Sequence, residues 1–498
     1  MSPATLPILT ILVFLPLAGC LLLLPVWNHR SARPIAMGVA LVEFLLALWI
    51  FASWQELSAA EHKIPGFYLL EDYSWIPSLG ISFTLGMDGI SLLMVLLTEL
   101  IFVIAMLLPR NSPAGSKESL FLLLLLAMQS GITGVFLALD LALFYLFWEA
   151  MLIPVFFLII IRGSGNRIIS TIKFFIFTLA GSLFMLLAII QLHLQHFKTT
   201  GVATFSLYQL LQSPVPTVMQ LWLYAAFFLA FAIKIPLFPL HGWLPDSYSD
   251  APLTGTLILS ALMAKTGAYA LIRFAHPLFP EAAGQMAPLL YSLALLSILY
   301  AAILAFNQTD IKRLIAWSSV SHMGFVALGI AAWQPVALSG SILQMVNHGI
   351  TTGALFIMAG ILEKRADSRE INAFGGLWGK IPKWSFLFLF FSLASVGLPG
   401  LNNFVGEFLI LAGTIKKSII AASLAFAGLV LTLIYMLRLL QEVCFQKERS
   451  ALSLSDLTSG EILALAFLAL LCIQLGVHPS FQLDLLHVPV RILTGAAP

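Results

Sequence analysis

The sequence predicts an all-α polytopic membrane protein of about 14 transmembrane helices, with two inverted five-helix repeats that each contain a broken helix. Three observations predict it. Of the 498 residues 60% are hydrophobic and 10% charged, and the mean hydropathy is +0.99, more apolar surface than a water-facing exterior can carry. The apolar residues gather into runs of the ~20 residues that a helix needs to cross a bilayer. Two of these runs hold clustered proline and glycine: IKIPLFPLHGWLPD with Pro236, Pro239 and Pro245, and VGLPGLNNFVGE with Gly397, Pro399 and Gly400.

Taken in order, the runs lie at approximately 7–26, 34–53, 86–109, 119–139, 141–162, 171–194 and 219–240 in the first half. The second half holds 252–275, 286–306, 312–332, 338–361, 384–410, 419–441 and 459–477. LPLAGC, ending at Cys20, has the look of a lipoprotein processing site. No positive residues precede it and the apolar run continues past it, so it reads as part of an uncleaved first helix. Between the fourth and fifth runs only Leu139–Asp140–Leu141 makes a joint. Proline removes a backbone donor and glycine loosens a helix, so the seventh and twelfth runs are expected to break inside the membrane. They stand an odd number of helices apart and therefore run in opposite directions, the pattern of an inverted repeat. The expected organisation is helices 1–3 over residues 1–110, a first repeat of helices 4–8 over 119–275, a second, inverted repeat of helices 9–13 over 286–441, and a C-terminal helix and tail over 459–498.

Lysine and arginine set the orientation. With the N-terminus outside, the inner loops collect Arg30, Arg33, Arg110, Lys117, Arg162, Arg167, Lys173, Lys312, Arg313, Lys364, Arg365, Arg369, Lys380, Lys383, Arg438, Lys447 and Arg449. The outer side has Lys63, Lys198, Arg273, Lys416, Lys417 and Arg491. This asymmetry places both termini outside. A net charge of +2 without a basic run offers nothing to a polynucleotide. Cys20, Cys444 and Cys472 are scattered through apolar helices, which argues against a disulfide framework or a protein-ligated iron–sulfur cluster. There is no GxGxxG after a strand, no P-loop, no CxxC and no haem ligand pair.

Four charges interrupt the hydrocarbon-soluble runs: Glu149 in FYLFWEAMLIPVFF, Lys234 in LAFAIKIPLFPL, Lys265 in LSALMAKTGAYAL and Glu407 in FVGEFLILAG. A charge in the bilayer costs at least ~2.5–3.5 kcal/mol, so such residues mark ion or proton pathways. A buried lysine beside a carboxylate is a tunable base: the carboxylate favours the cation when close and releases the proton when withdrawn. His322 and His348 fall on helices ten and eleven, where imidazole can donate and accept. Ser318, Ser319, Ser321 and Thr266 could order bridging water. His193, His241 and His276 lie near helix ends and read as interfacial. Glu43 is expected to snorkel or meet a neighbouring subunit, and Glu99 sits in helix three without an assigned role. Asp246 and Asp250 are expected to be solvated or to cap helix eight; Asp310, Lys312 and Arg313 read as a helix start with anchoring basic residues.

DGISLLMVLLT at Asp88–Thr98, FLALDLALFYLFWEAMLIPVFFLI around Glu149, KIPLFPLHGWLPDSYSDAP from Lys234, AKTGAYALIRF around Lys265, FNQTDIKRLIAWSSVSHMGF through His322, QMVNHG through His348 and LPGLNNFVGEFLIL around Glu407 occur in this order over roughly residues 80–440. In these stretches the chain resembles the antiporter-like membrane subunits of respiratory complex I, and within them the M type, called chain 4 in mitochondria. A glutamate rather than a lysine at Glu407 is the M-type choice. LPDSY with Tyr248, where the family commonly has histidine, and GTLILSA before Lys265 depart from the usual pattern.

The resemblance implies a proton-translocating subunit of an NADH-quinone oxidoreductase. Glu149 and Lys234 would control a half-channel, Lys265 would be the central relay with His348 and His322, and Glu407 would hand protons to the outer exit. It implies no cofactor in this chain, with FMN, iron–sulfur clusters and quinone in partner subunits. The expected partners are other membrane subunits, L- and N-type antiporter-like chains among them, in a cell inner membrane or equivalent energy-coupling membrane. Three other readings stay open from sequence: a D-type subunit of a multisubunit sodium/proton antiporter, a membrane subunit of a specialised CO2-uptake complex, and a bundle that only scaffolds other subunits.

Overall fold

A computed structural model describes residues 6–27, 29–59, 64, 66–108, 116–449 and 454–495. Lys63 and Arg110, counted above for orientation, lie outside these, as do the side chain of Lys117 and the last three residues of the expected C-terminal tail. Among the described residues, twelve helices are long and apolar enough to cross a membrane. The other two expected spans are present in shorter form. The first is α1 (Ile8–Leu23), which runs through Cys20. The twelfth divides into two separate helices at Val396 and Asn402.

The chain packs as two units. The first contains Met1–Arg162, Thr171–Lys234 and Thr266–Met286; the second contains Gly163–Ser170, Ile235–Lys265 and Ala287–Pro498. In the first unit, α2 (Ala32–Ala52) is followed by a hairpin of β1 (Leu69–Ile76) and β2 (Ile81–Met87), antiparallel with Leu69 opposite Met87. This hairpin occupies the interval between the second and third apolar runs, to which the apolar pattern assigns no element. Gly80 turns the hairpin at a φ of 70°, which suits a residue without Cβ.

β2 leads into α3 (Gly89–Leu107), whose N-cap Asp88 accepts from Ser91 N. The other Asp88 oxygen takes the Arg273 guanidinium at 2.6 Å, with both side chains buried. Arg273, counted above towards the outer side and within the 252–275 run, lies inside the helix Leu253–Leu278, where Asp88 supplies the partner that burial demands. Arg273 Nε also donates to Tyr269, whose hydroxyl donates to the Phe136 carbonyl.

α4 (Ser116–Leu137) and α5 (Leu141–Ala150) meet at the tight joint, where Asp140 caps α5. One oxygen of its carboxylate accepts from Ala142 N and Leu143 N, and the other from the main chain and hydroxyl of Ser82. Asp140→Ala strands those donors, of which the Leu143 N–H is buried and the others are half-buried. We expect a loss of about 1–3 kcal/mol, read as a lower melting temperature of the full chain, with Asp140→Asn recovering more than half. Equal melting of Asp140→Ala and wild type would contradict this account of the joint.

α6 (Leu152–Arg162) continues α5 after Met151, and α7 (Arg167–Thr200) follows. α8 (Thr217–Lys234) ends at the lysine, and a short α9 (Leu244–Asp250) follows the proline-rich turn. α10 (Leu253–Leu278) carries two π-helical stretches, Leu259–Met263 and Leu271–Ala275. α11 (Pro280–Phe306), α12 (Ile311–Ala332) and α13 (Pro335–Ala366) lead to the second break, between α14 (Pro382–Val396) and α15 (Asn402–Ile415). α16 (Ile419–Phe445), α17 (Ser459–Val477) and a further helix, α18 (Ser480–Thr494), complete the chain.

Near the ends of these helices the second unit ties its charges together. Asp310 caps α12 by accepting from Arg313 N, as its place before IKR suggested. Arg369 bridges to Asp310 at 2.7 Å, and Lys312 pairs with Glu363 at 2.5 Å. Asp246 is held by Arg313, and Asp250 is buried and accepts from the Ser170 hydroxyl. Asp250 is therefore neither solvated nor the cap of α10, whose N-cap position belongs to Pro252. Apolar side chains such as Leu187, Trp222 and Ile420 stand exposed, the surface that lipid covers.

Candidate functional site

The six expected site residues fall into one group in each unit. In the first, α8 ends directly after Lys234 because Pro236 and Pro239 cannot continue the ladder. That puts the lysine in the last turn, where unpaired carbonyls favour a cation. Its Nζ lies 4.9 Å from the centre of the Trp148 ring and 6.0 Å from that of Phe174. Phe144 and Phe231 pack against the indole and against each other.

Lys234 and Glu149 were expected to be paired. Among the described residues Lys234 Nζ has no hydrogen-bond partner, and neither has the buried oxygen of Glu149. They interact at longer range only. The reason lies in α5: Trp148 faces the interior, and Glu149, one residue on, is turned about 100° around the helix to a half-buried position beside Tyr145. The indole takes the place beside the ammonium that the carboxylate was expected to hold.

The second group is continuous over most of its length. Lys265 Nζ lies 2.7 Å from His348 Nδ1 and also donates to the Ser260 carbonyl. That carbonyl belongs to the π-helical stretch before Lys265, whose wider turn tips carbonyls off the axis. Tyr248 serves the same stretch by donating to the Leu259 carbonyl, so the departure from the family pattern at this position has a structural task. The His348 and His322 rings are 5.6 Å apart, centre to centre. His322 Nδ1 is 2.9 Å from Glu407 Oε1, and His322 Nε2 is 3.4 Å from Ser395 Oγ. Lys265, His348, His322 and Glu407 are all buried.

The second break makes room for Glu407. The carboxylate leans back along α15 towards Gly397, where a Cβ would sit 2.9 Å from Oε2. At Gly406 a Cβ would come within 2.4 Å of Gln344 Oε1, so glycine admits the amide whose Nε2 donates to Glu407. Asn347 and Asn402 clamp the break from α13: each Nδ2 donates to the main-chain carbonyl of the other.

Sequence reasoning missed Trp148, Gln344 and Ser395. Gln344 had a legible signal, since it precedes His348 by one helical turn in QMVNHG. Of the hydroxyls expected to order water, Ser319 donates within its own helix to the Ile315 carbonyl, Ser321 donates across to the Ile298 carbonyl, and Ser318 accepts from Tyr435. Thr266 belongs to the first unit. His193 bonds the Thr204 carbonyl and stacks on Phe205; His241 packs against Phe238 and Trp317, and His276 is buried against Tyr224. Glu43 does not snorkel: it is fully enclosed, as is Glu99.

A family model described as NADH:quinone oxidoreductase/Mrp antiporter, TM, matches residues 138–434. The chain is 42% identical over 490 residues to NADH-quinone oxidoreductase subunit M of Pseudomonas aeruginosa, covering 96% of each. Its structure is similar to a chain of respiratory complex I from Thermus thermophilus with bound NADH, at a TM-score of 0.87 and 34% identity over 98% of this chain and 99% of that one. A chain of the Mrp complex from Dietzia shares the fold, at a TM-score of 0.84 and 21% identity over 97% of this chain and 52% of that one.

Proposed function

The chain belongs to the NADH-quinone oxidoreductase subunit M family, and from that premise we propose that its two buried charged groups carry the protons that this multi-pass membrane subunit translocates. It works as an antiporter-like part of a larger enzyme, with other membrane subunits as partners. The sodium/proton antiporter and CO2-uptake readings are not favoured, because the likeness to the Mrp chain is one of fold. In our reading electron transfer proceeds in partner subunits holding FMN, iron–sulfur clusters and quinone. L- and N-type chains are the membrane neighbours, and the membrane is the energy-coupling one with both termini outside. The inverted repeats, 119–275 and 286–441, each supply one group's break.

The observation that carries the reading is the buried string Lys265–His348–His322–Glu407. A proton on Lys265 passes to His348 Nδ1 across their hydrogen bond. His348 hands it to His322 by ring rotation or through one bridging water. His322 delivers it to Glu407, which the Gln344 amide and the glycine break hold in the receiving position. Glu407 releases it towards the outer side. In the first unit Glu149 and Lys234 are the switch: with the carboxylate near, Lys234 keeps its proton, and on the Trp148 face it is ready to lose it.

Glu407→Gln tests this. Glutamine keeps the size and the hydrogen bonds but cannot accept the proton. Donor-driven acidification of inverted vesicles should fall roughly tenfold or more with the complex assembled. Wild-type acidification in that variant would remove Glu407, and with it the string, from the route.

A further inference from the structure

Three helices of the first unit bring together a second set of chemically capable groups that the switch does not use. Glu43 lies at the middle of α2, Glu99 at the middle of α3 and Gln129 in α4, all fully enclosed. Glu99 is supplied with donors: Thr133 Oγ1 donates to Oε1 at 2.8 Å and Gln129 Nε2 donates to Oε2. Glu43 is not. Neither of its oxygens has a hydrogen-bond partner among the described residues, and the charged group that acts on it is Glu99. The Oε1 of Gln129, on the amide that reaches Glu99, is also buried and unpartnered.

Two ionised carboxylates at this depth would repel each other where no water relieves them. Among the described residues no cation is paired with Glu43 or Glu99. On α2 itself, Arg33 donates to the carbonyls of Met106 to Leu108; on the helices around it, Glu118 pairs with Arg162 and Cys20 turns to the Leu123 carbonyl. Glu56 lies beyond the end of α2. The donors on Glu99 suit a carboxylate, and the donor-free Glu43 suits a neutral acid.

We propose that Glu43 and Glu99 form an additional proton-binding site in which one proton is held, on Glu43, beside an ionised Glu99. The ligand is the proton itself, and the site is separate from both the Lys234 switch and the string ending at Glu407.

Infrared spectra of the assembled complex in liposomes test this directly, because a protonated carboxyl has its own carbonyl stretch. Glu43→Gln should remove one such band, and Glu99→Gln should keep it at a shifted frequency. Survival of the full band in Glu43→Gln overturns the proposal, as does its loss in Glu99→Gln alone. Equal partial losses in both variants mean two protons and overturn it too. A wild-type band that vanishes on adding sodium assigns the cluster to a cation instead. Glu43 makes no hydrogen bond that glutamine would break, so assembly should persist. Should it not, Glu43→Leu is read by the same criterion. None of these outcomes depends on transport through Glu407.

Discussion

Lys234→Ala should abolish donor-driven acidification and quinone reduction together, by roughly a hundredfold or more, in a complex that still assembles. The lysine ends α8 over the Trp148 ring, and no hydrogen bond of its ammonium contributes to the fold. Its removal takes away the proposed proton carrier and leaves a cavity beside Trp148 but no stranded hydrogen-bond partner. Lys234→Arg sharpens the expectation. A guanidinium stacks well on an indole but does not give up its proton, so this variant should assemble fully and transport no better than alanine. Both rates are read on inverted vesicles, with assembly followed on native gels. Normal acidification with normal quinone reduction in Lys234→Ala would dismiss the switch.

Arg273→Ala should be the most damaging single change to stability, at about 3–5 kcal/mol. It leaves Asp88 buried at the head of α3 with a full charge and no counterion, and it removes a donor from Tyr269. The double change Asp88→Asn with Arg273→Met removes both charges and should recover most of that loss, because the penalty comes from the orphaned carboxylate. Membrane level and melting temperature of the full chain decide the matter. A double variant as unstable as Arg273→Ala would mean that Arg273 acts through its packing on Phe67 and Tyr269.

The buried charges were legible because a lysine or glutamate in an apolar run stands out against everything around it. Lys234, Lys265, Glu149 and Glu407 needed no structure to be found, and the tight joint at Leu139–Asp140–Leu141 was legible, though not that Asp140 caps α5. The partners were not legible. That Lys234 rests on Trp148 rather than against Glu149 follows from which way two adjacent residues of α5 face. That Glu43 meets Glu99 depends on how α2 packs on α3, and each acid alone read as a stray charge. The hairpin was missed because two strands in a short polar interval leave a weak alternation beside the strong signal of the helices. The counterion of Arg273 was not legible because Asp88 lies far away in sequence.

The reciprocal amides of Asn347 and Asn402 make the second break a rivet rather than a hinge. Each side chain grips the other's main chain, so α13 and the start of α15 are fastened at the level of the gap. Rigid fastening shifts the moving parts to imidazole and carboxylate torsions, which turn in picoseconds to nanoseconds when unhindered. In the relay proposed for the second unit, the string would then act as a set of swivels on a fixed frame, with a stroke measured in side-chain angles.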